Sequence, residues 1–202
     1  LSLSLESIKN AVRDDTKAVM VVHVGGVVTD EISRIREYCD KKGLYLIEDA
    51  ACAHGSTNLG IKSGNFGHAA CFSFHHSTVL PSGEGGIVTT ESKDLFEKIK
   101  RIRAIGLDRS INNWESFNVG SNAKMSEITS ILAILHTAKA KEIISERQKI
   151  AEKYDRGIKF NSVFKKFNLP DGSTSSYYKY FIRVEDTNQI KKINNYFDSV
   201  VT

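Results

Sequence analysis

Short apolar runs alternate with segments of helical period along the first two-thirds of this chain. Residues 17–22 read KAVMVV, a continuous apolar run of the kind that forms a strand buried on both faces. HVGG follows, and its glycines permit a turn. Thr29 is placed to cap a helix that carries Ile32, Ile35 and Cys39 on one face. Lys41, Lys42 and Gly43 close that helix in the usual order. Further strands are predicted over 44–47, 69–74 and 86–90. Helices are predicted over 92–105 and over 125–154, the second with a break near 137–139. The opening segment, LSLSLESIKNAVRDD, lacks the basic flank and apolar core of a signal peptide. It reads as an amphipathic helix with Leu5, Ile8 and Val12 on one side. Strand–helix alternation of this kind predicts an α/β fold with a mostly parallel sheet.

The tail changes character. FNLPDGSTSS is loop-like, with Pro170, Asp171 and Gly172 setting a turn. YYKYFIRV, residues 177–184, reads as a strand and 188–200 as a helix. One strand and one helix cannot bury a core alone. Residues 1–155 are therefore expected to form a large domain, and 156–202 the beginning of a small α+β domain.

Composition narrows the function classes. The 28 Lys and Arg against 24 Asp and Glu leave a net charge of +4, spread along the chain, which is no nucleic-acid signature. No window approaches the roughly 18 consecutive apolar residues of a membrane helix. The three cysteines, Cys39, Cys52 and Cys71, give no disulfide framework and suit a reducing cytoplasm. The chain opens at Leu1 rather than at a methionine, so an upstream part is expected to be missing.

In open α/β sheets, ligands sit beyond the carboxyl ends of the strands. Those ends carry His23, Asp49, Ser73 and the His75-His76-Ser77-Thr78 loop. Asp49 is either a helix cap or a carboxylate aimed at a cationic ligand atom. Ser73 is either a plain strand-end residue or a ligand donor, and at least one of His75 and His76 suits an ordinary surface position. A metal set drawn from His68, Cys71, His75 and His76 is not expected. Strand alternation separates His68 from Cys71, and no CxxC or HExxH pattern is present.

The stretch IEDAACAHGSTNLGIKSGNFGHAACFSFHHSTVLPSGEGGIVTT resembles the central signature of the DegT/DnrJ family. These are pyridoxal-phosphate-dependent aminotransferases of nucleotide-linked keto sugars, with the type I aminotransferase fold. VVHVGGVVTDEI, RIRAIGLDR and NVGSNAKMSEI extend the resemblance over about 15–155. It implies that Asp49 pairs with the pyridine nitrogen and keeps the ring an electron sink. It implies that Ser73 binds the cofactor phosphate. Asn122 matches a residue that reaches the phosphate of a neighbouring subunit's cofactor, which implies a homodimer.

Departures from the family pattern bear on activity. Thr78 occupies the position of the Schiff-base lysine, and a threonine has no amine to attach the cofactor. Its hydroxyl is also a poor base for moving a proton. Cys52 stands where a glutamine usually touches the ring oxygen, and a thiol is only a weak donor. Relatives are about twice this long, and the expected missing part includes a phosphate loop. The resemblance therefore implies an impaired or inactive aminotransferase that holds pyridoxal or pyridoxamine phosphate non-covalently, if at all. One alternative is a non-catalytic binding or assembly remnant. Another is a pyridoxamine-phosphate-dependent dehydratase of keto-deoxysugars in which His76, on the same side as Thr78, moves the proton.

Overall fold

The computed structural model describes residues 2–107, 119–186 and 188–193. Helix α1 (Leu5–Ala11) is closed at its start by a reciprocal pair of Ser4 and Ser7 hydrogen bonds and buries Leu5 and Ile8. Strand β1 (Ala18–Val22), helix α2 (Ile32–Lys42) and strand β2 (Tyr45–Asp49) follow. Thr29 is not the cap of α2. Glu31 holds that position, and the Thr29 hydroxyl accepts from the Glu31 amide at 3.3 Å, before the helix begins. The two-residue strands β3 (Thr57–Asn58) and β4 (Ile61–Lys62) lead to β5 (Ala69–Ser73) and β6 (Gly86–Thr89).

The main sheet has the order β1-β2-β5-β6. β1, β2 and β5 run parallel, with Val22 opposite Asp49 and Asp49 opposite Cys71. β6 returns antiparallel to β5 and starts with Gly86 opposite Ser73. Three strand ends and one strand start thus meet at a single edge of the sheet. That edge collects His23, Asp49, Ser73 and Gly86.

One face of the sheet is packed. Val19, Val21, Leu46 and Phe66 join Ile32, Ile35 and Cys39 of α2 and Leu5 and Ile8 of α1 in a core cluster. The apolar run of β1 suggested burial on both faces, and here the structure differs. Val19 and Val21 are buried, whereas Met20 and Val22 are exposed. Among the described residues nothing covers that second face. Alternation sends every other side chain to it, whatever the run's hydrophobicity.

Helix α3 (Lys93–Arg103) is capped by Ser92, and α4 (Glu127–Ala138) by Ser126, whose hydroxyl accepts from the Thr129 amide at 3.2 Å. Helix α5 (Ala140–Gly157) follows across Lys139, so the predicted break is present. A second cluster of Phe74, Val79, Leu80 and Ala133 is joined by Met125, Ile143 and Ile144.

The tail strand is shorter than its sequence suggests. Only Ile182–Val184 (β9) is extended and paired, against Phe164–Lys166 (β7). The preceding residues bond elsewhere. Ser173–Thr174 (β8) adds to β3, and the Arg147 guanidinium takes the carbonyls of Ser176, Tyr177 and Tyr178. Tyr177 also adopts φ +48°, which interrupts any strand. Of the helix expected over 188–200, residues 188–193 are helical and 194–200 lie outside the described residues.

Candidate functional site

Asp49 ends β2, where its Oδ1 accepts from the Ala51 amide at 3.1 Å. The backbone carbonyl of Asp49 accepts from the His23 amide at 3.0 Å, which ties two strand ends together. The Asp49 carboxylate therefore serves locally as a turn anchor through one oxygen. Its Oδ2 has no partner among the described residues. Cys52 lies in that turn, and burial, with the charge of Asp49 added, pushes its thiol pKa up. It stays a protonated, weakly polar group.

Ser73 ends β5. Its Oγ accepts from the His75 amide at 3.1 Å, and its own proton has no acceptor among the described residues. The chain then makes a tight loop. The Thr78 amide and the Thr78 hydroxyl both donate to the His75 carbonyl, at 2.9 and 2.8 Å. Phe74 donates to the Gly85 carbonyl at 2.9 Å, which brings the loop back beside β5. Gly85 has φ +143°, and a Cβ there would lie 2.7 Å from the Met125 methyl. Only glycine suits that point.

Met125 belongs to the segment that carries Asn122. Asn122 is exposed and its backbone bridges to Ala104. A cleft of 390 Å³ is lined by Glu84–Gly86 together with Ala123, Lys124, Met125 and Ser126. The fold therefore brings the Asn122 segment against the loop that holds Thr78. His76 is exposed, and its ring lies 3.9 Å from that of His75.

Two neighbouring groups escaped the reading of the sequence. Glu48 is fully buried next to Asp49. It accepts from His23 Nε2 at 2.9 Å and from the amides of Gly64, Phe66 and Gly67 at 2.5–2.7 Å. Burial would push its carboxyl up, but those hydrogen bonds win and hold it below the usual glutamate range. The signal was available, since Glu48 shares the inward side of β2 with Leu46. A charge at such a position requires a partner. His54 is also buried, between the rings of Phe72 and Phe74. Both its nitrogens lack a partner among the described residues, and burial lowers its pKa to about 4.

Both the sequence and the fold are similar to those of known proteins. Residues 1–199 match the model of the DegT/DnrJ/EryC1/StrS aminotransferase family. The chain is 33% identical over 196 residues to a dTDP-4-dehydro-2,3,6-trideoxy-D-glucose 4-aminotransferase of Saccharopolyspora spinosa, covering 91% of this chain and 51% of that protein. It is 36% identical over 154 residues to a GDP-perosamine synthase of Vibrio cholerae, covering 76% of this chain and 41% of that protein. Its fold matches Helicobacter pylori PseC, an aminotransferase involved in the biosynthesis of pseudoaminic acid, with a TM-score of 0.85 and 28% identity over 95% of this chain and 52% of that one. The chain spans about half the length of the curated relatives it matches. By the extent of the matched model and the ordered motifs around Asp49, Ser73 and Gly85, this chain belongs to the DegT/DnrJ/EryC1/StrS aminotransferase family.

Proposed function

We propose that this chain is the cofactor-holding part of a nucleotide-sugar aminotransferase-like protein whose transamination is strongly reduced. One observation carries the reading. Thr78, in the loop between Ser73 and Gly86, has its hydroxyl committed to the His75 carbonyl and offers no amine.

The donors at the strand ends fit pyridoxal or pyridoxamine phosphate held without a covalent bond. Asp49 Oδ2 and the Ser73 hydroxyl proton, both without a partner among the described residues, are available to the pyridine nitrogen and the phosphate. Cys52 offers the ring oxygen little. Exposed Asn122 supports a homodimer in which it serves the neighbouring subunit's phosphate. When bound, the cofactor supplies an electron sink for amino transfer. Thr78 adds neither an attachment point nor a base of suitable strength. The substrate class is a nucleotide-linked keto sugar with an amino-acid donor, as the relatives' names suggest. We read 1–155 as the large domain and 156–202 as the start of the small one. We also place the protein in the cytoplasm, on its unpaired cysteines.

The test uses the full protein that carries this chain, with pyridoxal phosphate, glutamate and a nucleotide keto sugar. Cofactor binding is expected to shift absorbance, with no cofactor fixed to the protein by borohydride and amino transfer near background. Steady amino transfer, or a cofactor trapped on a lysine, overturns the impairment. No absorbance shift favours a non-catalytic remnant. A dehydratase reading draws on the exposed His76 imidazole two residues before Thr78. It requires dehydration of a 4-keto-6-deoxy nucleotide sugar with pyridoxamine phosphate, lost in His76→Ala.

A further inference from the structure

The loop between β5 and β6 gathers three metal-ligating groups that the amino-transfer reading leaves unused. The ligand atoms of His75, His76 and Glu84 all lie within 4.8 Å of one another. His75 Nε2 is 3.7 Å from Glu84 Oε1, and the two imidazole rings are 3.9 Å apart. These residues do not form a motif in the chain. The fold assembles them, because a backbone bridge sets His75 beside Gly83 and Phe74 beside Gly85. Glu84 is thereby presented at the turn, directly opposite the histidine pair.

We propose that His75, His76 and Glu84 form a binding site for a divalent transition ion of the zinc type. Two imidazole nitrogens and one carboxylate oxygen make a ligand set that zinc accepts, with water in the fourth place. Tetrahedral bonds of about 2.0–2.1 Å put neighbouring ligand atoms roughly 3.4 Å apart. The His75–Glu84 separation is close to that already. Mixed imidazole and carboxylate donors select zinc-like ions over magnesium or calcium, which prefer all-oxygen cages. The site also has an orienting partner. Ser77 holds the ring in place, with its Oγ 2.9 Å from His75 Nδ1 and its amide donating to the same nitrogen at 3.3 Å. Glu84 is 80% exposed and His75 41%, so an ion reaches the site without opening the core.

This set differs from His68, Cys71, His75 and His76, the grouping that the sequence argues against. His68 is turned to Asp40, at 3.4 Å, and its Nδ1 accepts from the Leu46 amide. A bound ion would tie together the two ends of the loop that carries Thr78. The inference does not depend on the amino-transfer reading.

Zinc titration of the untagged full protein, by competition with a chromophoric chelator at neutral pH, tests it. His76→Gln and Glu84→Gln, both exposed, are checked for folding by circular dichroism. Each is expected to lower the stoichiometry by one ion per chain, or to weaken that ion's binding at least ~10-fold. His68→Gln and Cys71→Ser are expected to bind as the parent does. Absence of zinc binding, binding retained in both loop variants, or binding lost in His68→Gln or Cys71→Ser would each overturn the proposal.

Discussion

His23 Nε2 lies 2.9 Å from Glu48 Oε2, with both side chains fully buried, and this pair joins the ends of β1 and β2 beneath Asp49. The carboxylate also anchors the Gly64–Gly67 turn through backbone amides. Glu48→Ala would strand His23 and three amide donors. It is expected to lose about 3–5 kcal/mol in urea unfolding. Because the folded carboxyl is held below its ordinary value, its contribution is complete above the unfolded pKa of about 4.3 and is lost as pH falls through the folded value. Glu48→Gln should remove that acid dependence.

His54 titrates with the opposite chemistry but the same direction in pH. The unfolded imidazole takes a proton near 6.5, while the buried one resists until about 4. Between those values the unfolded state binds more protons, so stability falls as pH falls. The loss should reach about 3 kcal/mol at the lower end. His54→Phe, packed between Phe72 and Phe74, should flatten the melting temperature across that window.

Asp49→Ala should weaken pyridoxal phosphate binding by about tenfold or more, the equivalent of one charge-assisted hydrogen bond. Equilibrium dialysis of the full protein checks this. Thermal stability should change little, since the side chain makes one turn contact at 3.1 Å.

On the proposed reading, Thr78→Lys supplies the amine that the parent lacks at this position. The variant should retain pyridoxal phosphate after borohydride reduction, as a mass gain of one cofactor at residue 78. The parent should show none. The substitution removes one hydroxyl bond to His75, so its folding cost should stay near 1 kcal/mol.

Much of this architecture was legible along the chain. The apolar runs at 17–22 and 44–47 marked β1 and β2, the glycine-rich GEGG marked the return into β6, and helical periodicity marked the helices near 92–105 and 125–154. What escaped was non-local. Nothing in YYKYFIRV announces that Arg147, far away in sequence, takes its carbonyls and shortens the strand. The His23–Glu48 pair needs the parallel register of β1 and β2 to meet, and the His75–Glu84 approach needs the return of the chain into β6 and the His75–Gly83 bridge. Thr78 was the reverse case. Its chemical meaning lay wholly in the residues around it, and the structure adds where its hydroxyl goes.

The loop around Thr78 is framed by main-chain bonds: Thr78 to His75, Phe74 to Gly85 and Ser82 to Phe74. None of these depends on the side chain at 78. The position is a socket whose occupant the fold does not inspect. On the proposed reading, attachment chemistry would leave or return by a single replacement while the scaffold stays intact. Melting curves and spectra of secondary structure will then look alike for a working protein and a silent one, and only the bound chemistry tells them apart.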